Sequence, residues 1–303
     1  MKLAPIILFT YNRPIHTRKT IETLEMNKWA KESDLFIFSD EGKDEEDKLK
    51  VSEVREYLST IRGFRSVTIE KRDFNYGLAK NVINGVTRII TIHKKVIVVE
   101  DDLLTSPFFL QYMNEALELY ENENKVLSIH GYIYPIKRKM PASFFLIDPG
   151  SLGWGTWKDR WDEYEPDGSK LLHALKQRKL TKEFDYDGTY PFTEMLEDQI
   201  KGKNSSWAIR WYAYALLNKK LTLYPGRSLV YHIGNDGSGT HTASSDELDV
   251  ELTNEPISLE PVRLFVNTMA RESFKSYFRY RKNLLRRGVN KLKKIFNNVW
   301  DRK

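Results

Sequence analysis

An α/β fold with a mainly parallel central sheet flanked by helices is the class the sequence predicts, on three observations. Short, apolar, β-branched and aromatic runs alternate with helical stretches through the first 130 residues. Several runs end abruptly in polar or acidic clusters, as strands do where they open onto a ligand at their carboxyl ends. The chain has 303 residues, 41% of them hydrophobic, enough to cover such a sheet on both faces.

The elements follow in order. "APIILFT" reads as the first strand, and Pro14 to Met26 as a helix with proline at its first position. "DLFIFSD" is a second strand, followed by a charged helix from about Lys43 to Ile61. "SVTIEKR" is a third strand, and "NYGLAKNVINGVTRIITI" a helix with Asn75 as its expected cap. "KVIVVE" is the fourth strand, "SPFFLQYMNEALELYENE" the next helix and "VLSIHG" a fifth strand. From Phe144 the pattern changes: "GSLGWGTWKDRWDEYEP" crowds glycine and tryptophan, and a polar helical stretch runs from Lys170 to Lys182. "YPFTEMLEDQIKGKNSSWAIRWYAYALLNKKL" reads as helices, "TLYPGRSLVYHIG" as strand pieces and "NDGSGTHTASSDE" as a loop. The organisation expected is one domain over 1–265, with halves at 1–130 and 131–265 that the resemblance described below makes nucleotide-binding and acceptor halves, and a tail at 266–303.

Bulk composition removes several classes. With no cysteine there is neither a disulfide framework nor a thiolate zinc site. The apolar start is too short for a signal core, and no stretch reaches the roughly 18 apolar residues of a membrane span. The expected location is the cytoplasm, peripheral at the inner face of the cell membrane. The net charge of +6 is concentrated in the tail, where residues 271–303 carry 12 Lys/Arg against Glu272 and Asp301, so the rest carries 6 − 10 = −4. From Leu285 onward Leu285, Val289, Leu292, Ile295 or Phe296 and Val299 recur every three to four residues among Lys and Arg. That pattern predicts a basic amphipathic helix that binds an anionic membrane surface, with docking on the chain's own domain as the alternative. Nucleic acid is not an expected partner, since no recognised module accompanies the charge.

The chemistry concentrates at Glu100-Asp101-Asp102, directly after the run Val96 to Val99. Three acids at a strand end repel one another, so a hard divalent cation is the expected counter-charge, with a helix-capping loop as the alternative. This segment, "VIVVEDDLLTSPFFLQYM", resembles the metal-site segment of GT-A fold glycosyltransferases of the N-acetylglucosaminyltransferase I type and related bacterial family 2 proteins. "ILFTYNRP", "FIFSDEG", "GSLGWGTWKDRWDEYEP" and "HIGNDGSGTH" resemble four further segments of the family in the same order, so that the resemblance covers roughly Pro5 to His241.

The resemblance implies a UDP-sugar donor, Mn²⁺ or Mg²⁺, and a saccharide acceptor that is either free or lipid-linked. Carried over, Asp102 is the metal ligand, Asp101 contacts the ribose and Glu100 shapes the site. Thr10 and Arg13 belong to the nucleotide loop, Arg13 near the base, and Asp40 reads the uracil edge. Ser238 and His241 belong to the loop over the diphosphate, and Gly153 and Trp154 to the acceptor loop. Read from the residues alone, Asp40 could instead start a turn, Arg13 pair with a local acid, the Trp154, Trp157 and Trp161 set pack in the core along one helical face, and His232 pack too. The family's acidic base segment is replaced here by "SSWAIRW", which carries no acid. Asp198 is therefore the first candidate for the base, ahead of Glu194 and Asp236. The reading that follows is an inverting, metal-dependent hexosyl- or N-acetylhexosaminyl-transferase in surface-glycan synthesis. Its rivals are a degenerate nucleotide-sugar or glycan binder and a sugar nucleotidyltransferase; the latter is disfavoured because "TYNRPIHTR" lacks glycine.

Overall fold

The structure, a computed structural model, describes residues 1–237 and 248–281. Ser238, His241 and the amphipathic stretch from Leu285 lie outside the described residues. The chain runs β1 (Ile6–Thr10), α1 (Pro14–Glu25), β2 (Asp34–Ser39), α2 (Glu45–Leu58), β3 (Ser66–Lys71), α3 (Leu78–His93), β4 (Lys95–Glu100), β5 (Leu103–Thr105), α4 (Phe109–Leu119) and β6 (Val126–His130). It continues through β7 (Ser143–Leu146), β8 (Trp154–Trp157), α5 (Lys158–Trp161), α6 (Gly168–Gln177), α7 (Thr181–Phe184), α8 (Phe192–Ile200), α9 (Ala208–Leu217), β9 (Leu221–Pro225) and β10 (Val230–His232). A last helix, α10, occupies 268–281.

Eight strands form one sheet in the order β3-β2-β1-β4-β8-β6-β9-β7. The β3, β2, β1 and β4 neighbours are all parallel, as the alternation with α1, α2 and α3 requires. β8 runs antiparallel between β4 and β6 and joins the two halves of the sheet. Ile6, Ile7 and Leu8 of β1 are fully buried, because this central strand is covered on both faces. Burying each such side chain is worth about 1.5–3 kcal/mol.

Three expectations change at this level. Asn75 does not cap α3; its Nδ2 donates to the Glu41 carbonyl at 2.6 Å, and Gly77, at φ 70°, takes the N-cap position. The tryptophans do not share a helical face. Trp154 and Trp157 sit on strand β8, three residues apart, so their side chains leave opposite faces of the sheet. Trp154 joins Trp161, Trp207 and Trp211 on the α3 side, and Trp157 joins the α4 side. At 1% exposure Trp154 is a core residue and has no face for a sugar, which corrects its placement in the acceptor site. The third change is in the tail. α10 buries Ala270, Phe274 and Phe278 against Phe144, Tyr212 and Tyr224, so 268–281 belongs to the body of the protein rather than to a separate tail. Among the described residues no helix is long and apolar enough to cross a membrane.

Candidate functional site

The site forms where β1 and β4, adjacent and parallel, end together. Beyond β1 the chain reads Tyr11-Asn12-Arg13 before Pro14 opens α1; beyond β4 it reads Asp101-Asp102 before β5. The two turns are locked together. The Tyr11 N–H donates to Asp101 Oδ2 at 3.1 Å, and Thr20 on α1 donates its hydroxyl to the Asp101 carbonyl at 2.9 Å. Tyr11 and Asn12 also donate to the Asp47 carboxylate on α2.

Arg13 fills the gap between the acids. Its Nη2 lies 3.0 Å from Asp101 Oδ1 and 2.7 Å from Asp102 Oδ2. The resemblance implied Arg13 near a nucleotide base; the geometry sets it across the carboxylates, the pairing with local acids read from the residues alone, and it also lines the cleft. A fourth member comes from far along the chain. β10 pairs antiparallel with β5, His232 opposite Leu103, and this brings His232 Nε2 to 3.2 Å from Asp102 Oδ2. Gly234 then passes so close that an added Cβ would lie 2.3 Å from Asp102 Oδ2.

Burial and charge set the protonation of the triplet. Desolvation pushes Glu100 up to about 8, and the neighbouring Asp102 and Asp101 charges push the same way against Arg13. Glu100 therefore holds its proton to higher pH than an ordinary carboxyl does. Burial also raises Asp101, opposed by the Arg13 charge and by the Tyr11 N–H. Burial alone would raise Asp102 as well, but the hydrogen bond and charge of His232, together with Arg13, hold it at about 2. The cluster thus keeps its net negative charge low by withholding ionisation at one end and supplying a guanidinium at the other.

Residues from β1, β4, α3 and the α8–α9 loop line a cleft of about 180 Å³ beside this cluster, Thr10, Asp40, Asn81, Glu100 and Ser205 among them. Thr10 Oγ1 is buried there without a partner, a polar atom left for a ligand. Asp40 lines the cleft but also builds it. Its Oδ1 accepts from Tyr76 N at 2.8 Å and its Oδ2 from Gly77 N at 2.9 Å, which folds the loop ahead of α3. Its Oδ1 also accepts from Glu41 N at 3.0 Å, and since a carboxylate has about four acceptor positions, one is left for a ligand donor.

The acceptor and base candidates scatter. Gly153, at φ 66°, packs on Phe109 and Val230, and its carbonyl accepts from Gly131 N at 2.7 Å. Asp198 is paired with Lys203 at 3.1 Å on α8, the helix that also carries Glu194, and neither lines the cleft. Asp236, the third choice from sequence, stands two residues beyond Gly234 with Oδ2 3.1 Å from His16 Nε2 on α1. Of the three acids it is the one held between the Asp102 loop and the first turn of α1.

A divalent cation does not fit the described residues as they stand. Asp102 Oδ2 already faces both a guanidinium and an imidazole, and Asp101 uses both oxygens, so a cation seated on those three oxygens would have to displace Arg13. Among the described residues no three His, Asp, Glu or Cys side chains converge on a metal position. His232 and Gly234 are the members that sequence reasoning missed. Their signal was the strand-like "SLVYHIG", whose partner strand only the fold reveals.

A model of the GNT-I family matches residues 1–173, more than half of the chain. None of the curated proteins matches. Among solved structures, S. aureus TarS 1–349 in complex with UDP-GlcNAc is similar at 14% identity and a TM-score of 0.44, over 76% of this chain and 58% of that one. The mannosyltransferase PcManGT from Pyrobaculum calidifontis, in complex with GDP-Man and Mn²⁺, is similar at 16% identity and a TM-score of 0.34, over 45% of this chain and 36% of that one. Glucosyl-3-phosphoglycerate synthase from Mycobacterium tuberculosis, in complex with Mn²⁺, UDP-glucose and phosphoglyceric acid, is similar at 9% identity and a TM-score of 0.32, over 52% and 57%. The chain spans less than two thirds of each of these proteins. With its parallel N-terminal half of the sheet, its acids at the end of β4 and a family match that spans both, the chain belongs to the GNT-I family of GT-A fold glycosyltransferases.

Proposed function

We propose that the protein transfers a sugar from a UDP-sugar to a saccharide acceptor with inversion at the anomeric carbon. The observation that carries this reading is the Arg13–Asp101–Asp102–His232 cluster, set at the carboxyl ends of β1 and β4 beside a cleft lined by Thr10 and Asp40. Uridine in that cleft would meet Asp40 as a hydrogen-bond acceptor and Asp101 on the ribose side. The diphosphate would then lie toward Arg13, the cluster's fixed positive charge, which can meet the charge that develops as the leaving group departs. His16 stands at the same first turn of α1.

Inversion needs a carboxylate that takes the acceptor hydroxyl's proton as its oxygen attacks the anomeric carbon and the carbon–oxygen bond to the diphosphate breaks. The pairing of Asp236 with His16 supports Asp236 in this role over Asp198, which faces Lys203. Arg13 is already paired with Asp101 and Asp102, and no step in this reading runs through a metal. The Mn²⁺ or Mg²⁺ requirement expected from sequence is measured in the same assay by adding EDTA. An anionic membrane partner remains part of the proposal for the stretch beyond Arg281.

Asp236→Asn is expected to lower kcat by about 10²–10⁴-fold, the usual contribution of a positioned base. UDP affinity should stay within about twofold. A comparable loss in Asp198→Asn, with Asp236→Asn near wild type, would move the base to α8.

A further inference from the structure

The surface next to the donor cleft carries a second, larger depression. It lies between the outward face of α3 and the α8–α9 loop, and its volume is about 1160 Å³. Ser205 lines both it and the donor cleft, so the two adjoin there. Four cations line it, Lys80 and Arg88 from α3 and Lys203 and Arg210 from the opposite wall, and no acid does. Two of the four are already paired, Arg88 with Glu70 and Lys203 with Asp198 at 3.1 Å.

The other two are held differently. Lys80 stands over the rings of Tyr76 and Phe74, at 4.5 and 5.3 Å. Arg210 is braced by the Pro166 carbonyl at 2.9 Å and lies over Tyr164 at 5.6 Å. Its Nε is buried with no hydrogen-bond partner, and a buried guanidinium N–H left unpaired is costly unless a ligand meets it. Rings and a carbonyl fix the positions of these two cations without cancelling their charge. That is the arrangement an anion needs.

We propose that this groove is the acceptor subsite and that the acceptor carries a phosphate. The phosphate pairs with Arg210 and Lys80 and directs the attached saccharide past Ser205 toward the donor. Arg210 supplies the planar fork that suits a phosphate, and Lys80 a mobile point charge. This inference rests on the reading that the smaller cleft takes the nucleotide sugar. The phosphate could belong to the glycan itself or to a prenyl-phosphate carrier; the shared chemistry is a phosphate ester on the acceptor.

The test uses the full chain and three titrations. In the first, a fluorescent pentamannose bearing a terminal phosphate is compared with the uncharged pentamannose. In the second, nanodiscs carrying a prenyl-diphosphate-linked sugar are compared with nanodiscs lacking it. In the third, UDP alone reports on the donor cleft. The expected result is at least tenfold tighter binding of one phosphate-bearing acceptor over its uncharged control, weakening as salt rises. Lys80→Gln/Arg210→Gln should abolish that preference, Arg210→Lys should restore part of it, and both variants should bind UDP as wild type does. The arm that responds identifies the source of the phosphate. Equal binding of charged and uncharged forms in both arms, or a preference that survives in the double variant, overturns the proposal. Failure of UDP to bind, with the phosphate preference intact, would overturn the donor reading and leave the groove's anion site standing.

Discussion

Arg13 decides the electrostatics of the site, because one guanidinium nitrogen serves two buried carboxylates. Removing one partner from such a cluster leaves uncompensated buried charge, at a cost of about 3–5 kcal/mol. Arg13→Gln is therefore expected to lower Tm by several degrees. Mn²⁺ should recover part of the loss in the variant and give a smaller shift in wild type, since the cation takes the place the guanidinium vacated. Equal Mn²⁺ shifts in both proteins, read by thermal unfolding, would show that Arg13 and a cation do not compete. Asp148 provides a separate test away from the site. Its burial raises it to about 6, despite hydrogen bonds from Gly150 N and Tyr186. The folded state therefore holds a proton that an ordinary carboxyl of pKa about 4 has lost, and stability falls as pH rises from about 4 through about 6. Asp148→Asn should match wild type near pH 4 and exceed it by up to about 3 kcal/mol at pH 8; denaturant unfolding at the two pH values reads the gap, and a gap of the opposite sign contradicts it. The acid triplet was legible in the sequence because three like charges after a β-branched run are conspicuous. Its partners were not. His232 reaches Asp102 across 130 positions of chain, and nothing local in "VYHIG" announces that.

At the scale of elements, what could be read was whatever had a clean period. β1, β2 and β4 are continuous apolar runs, and α1 begins at the proline that marks it. β8 was hidden because "WGTW" looks like a close-approach loop, yet glycine is required there inside a strand: a Cβ on Gly155 would lie 3.0 Å from the Val96 carbonyl oxygen. α10 was misassigned for the opposite reason. Its charges matched those of the basic tail, while its buried stripe of Ala270, Phe274 and Phe278 carries a periodicity that also suits a core helix. Phe274→Ala should cost about 3–5 kcal/mol, as large-to-small changes in a packed core do. A chain ending at Arg281 should unfold like the full-length protein, and one ending at residue 267 should be strongly destabilised. If the 267 truncation unfolds like full-length protein, α10 does not belong to the core. Binding to vesicles of anionic lipid, if it depends on the amphipathic stretch, should disappear in the 281 truncation without loss of Tm.

For the whole molecule, the fold places a small cleft at the β1–β4 edge and a cationic groove beside it, with Ser205 lining both. The proposed occupant of the cleft is the uridine nucleotide of a sugar donor. The direct measurement is isothermal titration of UDP, GDP and CMP into wild type and Asp40→Asn, each with and without EDTA and with Mn²⁺. In the proposed reading Asp40 would discriminate by pairing with a donor on the uracil edge, since a buried acceptor facing the wrong base loses that bond. Replacing its carboxylate should also loosen the Tyr76–Gly77 turn, so α3 helicity is followed by circular dichroism to separate the two effects. UDP is expected to bind at least tenfold tighter than GDP or CMP to wild type, and Asp40→Asn to erase most of the difference at unchanged helicity. A preference for GDP, or equal binding of all three nucleotides, would contradict that reading.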